Sequence, residues 1–96
     1  MIMATKQAIA KKQVTFTCNV NSEAQAVYLV GDFNDWQPTV GKMNKGKNGA
    51  FQIKMKLAPG DYQYKFVVGG AWLNDPNAEE QAMNPYGTLN SVIRVK

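Results

Sequence analysis

The stretch Phe51-Gln52-Ile53-Lys54-Met55-Lys56-Leu57-Ala58-Pro59-Gly60-Asp61-Tyr62-Gln63-Tyr64-Lys65-Phe66-Val67-Val68-Gly69-Gly70 decides the fold, because its apolar residues recur at every second position on both sides of a turn. Phe51, Ile53, Met55 and Leu57 alternate with Gln52, Lys54 and Lys56. After Pro59-Gly60-Asp61, Tyr62, Tyr64, Phe66 and Val68 take one face and Gln63, Lys65 and Val67 the other. Period two is the signature of a half-buried strand, and Pro-Gly-Asp is turn chemistry. The pair is expected to form a β-hairpin.

Working outward, Val14, Phe16, Cys18 and Val20 alternate with Thr15, Thr17 and Asn19. Ala26 to Val30 is apolar almost throughout and ends at Gly31, as a central strand would. Leu89, Ser91, Ile93 and Val95 alternate with Asn90, Val92 and Arg94. The longest helical pattern is the short Asp75 to Met83 segment. Five or more short strands with turns at close intervals predict an all-β, immunoglobulin-like antiparallel β-sandwich, with a small closed barrel as the alternative. A flexible basic arm over 1–13 and a sandwich over 14–96 are the expected parts.

At 96 residues the chain has room for one core. It has no histidine and one cysteine, Cys18, which removes His-based catalysis, an internal disulfide and the usual zinc ligand sets. No cofactor and no metal site are expected. No apolar run has the roughly 7 to 15 residues of a secretory h-region or the roughly 18 of a membrane span, so a cytoplasmic location without membrane attachment is expected. The net charge is +4, but Lys6, Lys11, Lys12, Lys42, Lys45 and Lys47 hold six of the eleven basic residues in the arm and one Gly/Asn-rich loop. Basic residues interleaved with aromatics on one ordered face would point to nucleic acid. With one arginine, Arg94, and this distribution, nucleic acid is not expected.

Both tryptophans lie outside the alternating pattern. Trp36 follows Gly31-Asp32-Phe33-Asn34-Asp35, and Trp72 follows Gly69-Gly70-Ala71. Each alone reads as a ring capping an end of the sandwich. Together, with Asn34, Lys65 and Asn90 as hydrogen-bonding neighbours, they read as an aromatic platform for a polyhydroxylated ligand. Lys65 and Asn90 also fit ordinary solvated strand positions. Asp32, Asp35 and Asp75 would be the candidates for a glycosidase pair, at roughly 5 to 9.5 Å, but Asp-Phe-Asn-Asp and Asn-Asp-Pro are turn contexts. The chain is read as not an enzyme.

Val27-Tyr28-Leu29-Val30-Gly31-Asp32-Phe33-Asn34-Asp35-Trp36, Leu57 through Phe66, Trp72 through Pro76, and Gly87-Thr88-Leu89-Asn90-Ser91-Val92-Ile93 resemble, in order, the family 48 carbohydrate-binding modules. That group includes the glycogen-binding domain of AMP-activated protein kinase β subunits and the N-terminal domains of isoamylases and branching enzymes. The resemblance implies an early-set immunoglobulin-like sandwich that binds α-1,4-linked glucan such as glycogen or maltooligosaccharide, without catalysis. It places the stacking tryptophans on Trp36 and Trp72, the hydroxyl-binding lysine and asparagine on Lys65 and Asn90, and the wedge on Tyr86, where the kinase subunit has leucine. It also implies that Asn44 stands where the kinase subunit carries a phosphorylatable serine, so that switch is not carried over. The alternative is a protein-interaction or regulatory domain docking onto a separate glycogen-metabolism enzyme or kinase subunit, with a vestigial glucan site.

Overall fold

The computed structural model describes residues 10–19 and 26–96. The strands are β1 (Lys12–Cys18), β2 (Val27–Gly31), β3 (Asn44–Lys45), β4 (Phe51–Leu57), β5 (Gly60–Val68), β6 (Ala71–Leu73), β7 (Glu80–Met83) and β8 (Leu89–Val95), and a 3-10 turn over Asp32–Asn34 follows β2. One sheet has the order β1-β4-β3 and the other β2-β5-β8-β7, with β6 also paired to β5; every pairing is antiparallel. The inward residues of the two sheets form one core, with Phe16 and Phe51 from one side and Leu29, Tyr64 and Phe66 from the other. Phe16 meets Tyr64 edge-on at 5.0 Å, a favoured aromatic geometry. This is the immunoglobulin-like antiparallel sandwich that the alternation predicts.

The expected hairpin between the Phe51–Leu57 and Tyr62–Val68 runs does not form. Leu57 pairs with Lys12 in one sheet while Gly60 pairs with Val95 in the other, so Ala58-Pro59 is an arch between sheets. Strand alternation is the same in both arrangements, because either way the apolar face of each strand meets the same core. The Tyr62 hydroxyl donates to the Ala58 carbonyl at 2.7 Å and braces the arch. The hairpin that does form is β5–β6, whose two-residue turn Gly69-Gly70 has φ of 57° and 85°. Two successive positive φ angles are what a type I′ connection needs, and glycine adopts them without steric cost.

β5 rather than β2 is the central strand. β2 is nevertheless covered on its far side by Gly41–Met43: Leu29 N–H donates to the Gly41 carbonyl at 2.7 Å and Met43 N–H to the Val27 carbonyl at 2.8 Å. That cover accounts for its apolar composition. Of the Asp75–Met83 segment, the second half is strand β7, paired to β8. Residues 1–9 of the expected arm lie outside the described residues, and Lys12 and Gln13 are already the first positions of β1. Lys45 likewise is in strand β3, with its ammonium 5.9 Å from the Phe51 ring centroid.

Candidate functional site

Alternation on β5 sends Tyr64 and Phe66 into the core and leaves Gln63, Lys65 and Val67 on the outer face of the five-stranded sheet. One edge of β5 is lined by β8 up to Tyr64 and by β6 from Phe66 onward. Lys65 sits at the changeover. The Gly69-Gly70 turn brings Trp72 opposite Val67, and Asn90 precedes Ser91, the partner of Tyr64.

Trp36 arrives from the other side. A Cβ at Gly31 would lie 2.6 Å from the Gln63 carbonyl oxygen and 2.7 Å from the Phe33 ring, so only glycine lets the end of β2 pass this close. The Phe33 ring packs on Phe16 at 5.5 Å and anchors the 3-10 turn to the core. Asp35 and Trp36 then take φ of 56° and 58°. The left-handed region is rare for a residue as bulky as tryptophan, and such strain persists only where the surroundings hold it. Trp36 N–H donates to the Gly31 carbonyl at 3.0 Å, and the indole Nε1–H donates to Asp32 Oδ1 at 3.0 Å.

Trp36, Trp72, Lys65, Asn90 and Tyr86 line one groove of about 710 Å³, a size typical of small-ligand sites. Trp72 is 45% exposed and Tyr86 89%, so aromatic faces are open to solvent. Asn34 is not among them. Its Oδ1 accepts from Gly31 N–H at 3.1 Å and its Nδ2 donates to the Leu29 carbonyl at 2.9 Å, which closes the turn that delivers Trp36. The structure thus removes Asn34 from the platform on which the sequence reading placed it and makes it a turn residue.

The groove also holds Asp32, which the sequence suggests only as a turn residue or half of a glycosidase pair, and Gln63, Asn84 and Thr88, which it does not single out as site residues. They join the floor into one chain of hydrogen bonds. Asp32 Oδ2 accepts from Gln63 N–H at 2.8 Å; Gln63 Oε1 accepts from Asn90 Nδ2 at 2.9 Å; Asn90 Oδ1 accepts from Asn84 Nδ2 at 3.0 Å. Asn84 Oδ1 in turn accepts the backbone N–H groups of Tyr86 and Thr88, fixing the loop that carries the tyrosine. Lys65 is only 9% exposed, and its ammonium donates to Thr88 Oγ1 at 3.4 Å. Among the described residues the ion pairs are those of Arg94 with Asp61 and Glu80, so no carboxylate neutralises Lys65 at close range. An ammonium has three donors, and a long bond to one hydroxyl leaves capacity for a ligand oxygen.

A second polar cluster lies on the opposite side of β5. The Tyr64 hydroxyl donates to Asp75 Oδ2 and Asp75 N–H to Ser91 Oγ, both at 2.7 Å. Burial, then this hydrogen bond and the Asp75 charge, push the Tyr64 hydroxyl well above the ordinary tyrosine range. Burial, and then the charge of Asp75, push the Cys18 thiol up to about 11, leaving it protonated and unreactive near neutrality. Asp75 faces this cluster and Asp32 the groove, so the two carboxylates do not converge on one site.

The profile of one protein family, described as the glycogen recognition site of AMP-activated protein kinase, matches residues 12–96. The chain is 39% identical over 70 residues to the 5'-AMP-activated protein kinase subunit beta-1 of Sus scrofa, covering 73% of this chain and 54% of that protein. It is 46% identical over 55 residues to protein PTST homolog 2, chloroplastic, of Arabidopsis thaliana, covering 57% of this chain and 10% of that one. In three dimensions it resembles a maltogenic amylase from S. marinus, with a TM-score of 0.76 and 28% identity over 90% of this chain and 14% of the amylase. The chain therefore spans about half, or much less, of the proteins it matches. Among the described residues no helix is long and apolar enough to cross a membrane. The expected cytoplasmic location gains no support from a relative named as chloroplastic.

Proposed function

The chain belongs to the family of the glycogen recognition site of AMP-activated protein kinase, and from that premise we propose that its groove binds α-1,4-linked glucan without catalysing a reaction. The observation that carries this reading is the convergence of Trp36, Trp72, Lys65 and Asn90, from four separate elements, on a single groove. An indole face offers apolar area to the C–H face of a glucose ring, while Lys65 and the Asn90 network offer donors and acceptors to the hydroxyls at its edge. Tyr86, exposed on its loop, supplies a third ring where the kinase subunit has leucine. Affinity should be modest, since a short glucan loses torsional freedom and exchanges good hydrogen bonds with water for similar ones.

Mixing the protein with glycogen or insoluble starch and sedimenting the polysaccharide tests the reading. The expected result is co-sedimentation that soluble maltoheptaose reverses. Protein that stays in the supernatant at every polysaccharide concentration overturns it, and leaves a docking module with an unused groove as the reading to pursue.

A further inference from the structure

Asp32 is a surface residue, yet both its carboxylate oxygens are engaged inside the groove: Oδ1 by the Trp36 indole N–H at 3.0 Å and Oδ2 by the Gln63 backbone N–H at 2.8 Å. The first contact spans one turn of chain and the second spans 31 residues, so a single side chain ties the loop after β2 to the central strand. We propose that Asp32 is the positioning residue of the groove, holding the Trp36 ring in register with Lys65 and Asn90. The proposal rests on the glucan reading of the site.

Trp36 stands on a left-handed backbone in the turn that follows the 3-10 segment, outside every strand. The indole has one polar atom, Nε1–H, and Asp32 takes it. Gln63 then passes the restraint on, because its side-chain oxygen holds Asn90 while its backbone N–H is held by Asp32. A ring restrained before the ligand arrives spares the complex the cost of ordering it, which is how a group that need not touch the glucan sets its affinity. Neutral side chains replace the carboxylate poorly. Asparagine keeps one acceptor and turns an NH₂ toward the other donor, so it satisfies one of the two bonds.

The expected loss of maltoheptaose affinity is about tenfold for Asp32→Ala, or ~1.4 kcal/mol, with Asp32→Asn between that and wild type. A merely structural aspartate would weaken binding in any background, so the same substitutions are made in a Trp36→Phe protein, which keeps an aromatic ring and lacks the N–H. There the Asp32 substitutions should change affinity clearly less than in the wild-type background, keeping only the part that runs through Gln63. The two indole N–H resonances supply a second readout: in Asp32→Ala the Trp36 signal should shift and exchange faster with solvent while the Trp72 signal stays. If Asp32→Ala does not fold, Asp32→Asn carries both measurements. Equal losses in the two backgrounds, or an unmoved Trp36 resonance, overturn the role of Asp32 while leaving the groove a glucan site. A wild-type protein that binds no maltoheptaose overturns the glucan reading and this proposal with it.

Discussion

Gln63 and Tyr64 are neighbours on β5, Asn90 and Ser91 are neighbours on β8, and each pair divides between two polar networks on opposite faces of one sheet. Inside, Tyr64 and Ser91 close on Asp75, with Ser91 fully buried and the Asp75 side chain also accepting the Asn77 N–H at 2.9 Å. Outside, Gln63 and Asn90 close on Asp32, with Lys65 beside them holding only a 3.4 Å bond. Both networks are organised around an aspartate. They differ in what remains: the inner one spends its donors and acceptors within the protein and contributes to stability, whereas the outer one keeps donor capacity beside exposed rings and is available to a ligand.

The comparison can be broken first in the core between them. Phe66→Ala should destabilise the domain by about 3 to 5 kcal/mol, measured by denaturant unfolding, since the ring is 1% exposed and touches Tyr64. Both faces would then lose their support together. Asp75→Ala should cost about 2 to 3 kcal/mol by leaving the Tyr64 hydroxyl and its surroundings without their acceptor, while the folded fraction binds glucan as wild type does. Unchanged unfolding in Asp75→Ala would mean that the inner network does not stabilise the sandwich. Trp72→Ala should do the reverse, weakening maltoheptaose binding by about tenfold or more, ~1.4 kcal/mol, with unfolding shifted by less than that. A large drop in melting temperature instead would make the ring structural.

Alkaline pH sharpens the contrast more gently. Cys18 and Tyr64 both release their protons less readily in the folded state, so above the ordinary thiol value of 9.0 the unfolded chain holds fewer protons than the native one. Stability is therefore full below that pH and declines as it rises toward about 11, the folded value for Cys18. Cys18→Ala should flatten the first part of the decline in melting temperature, and a slope identical to wild type would remove the thiol from the account. The smallest effect is expected from salt. A neutral glucan releases no condensed counterions, so titrations between roughly 50 and 200 mM salt should give nearly constant affinity, where a polyanion bound through several phosphates loses orders of magnitude. Strong salt dependence would return the lysines to the centre of the function.

β1, β4, β5 and β8 are legible because each alternates over seven or more residues, and β2 because it is an apolar run ending at glycine; the same alternation divides β5 into core and outer faces. β3, β6 and β7 are not legible, since two to four residues carry no period. The pattern predicts a hairpin at the Ala58-Pro59 arch because it records which face is apolar and is silent on which sheet the strand joins. At the groove, aromatics in turn-rich segments stand out, which picks out Trp36 and Trp72, whereas Tyr86 follows only from the family resemblance. Asn34 and Asp32 sit two residues apart in the same polar turn, and composition does not say which side chain bends back to the backbone and which reaches an indole. Gln63 does carry a signal in the sequence: it shares the outward face of β5 with Lys65.

The arch has a kinetic consequence. Because the chain changes sheets there, β1 must wait for β4, with Cys18 meeting Phe51 and Lys12 meeting Leu57, and β2 must find β5 across a similar separation. Sandwiches dominated by such distant pairings fold on the millisecond-to-second scale, whereas single hairpins close in roughly microseconds. β5–β6 and β7–β8 are local and carry Trp72 and Tyr86, while the contact of Asp32 with Gln63 exists only once β2 has docked. Trp72 thus sits on a local pairing, whereas Trp36 is held by a contact that needs two distant stretches of the chain to meet.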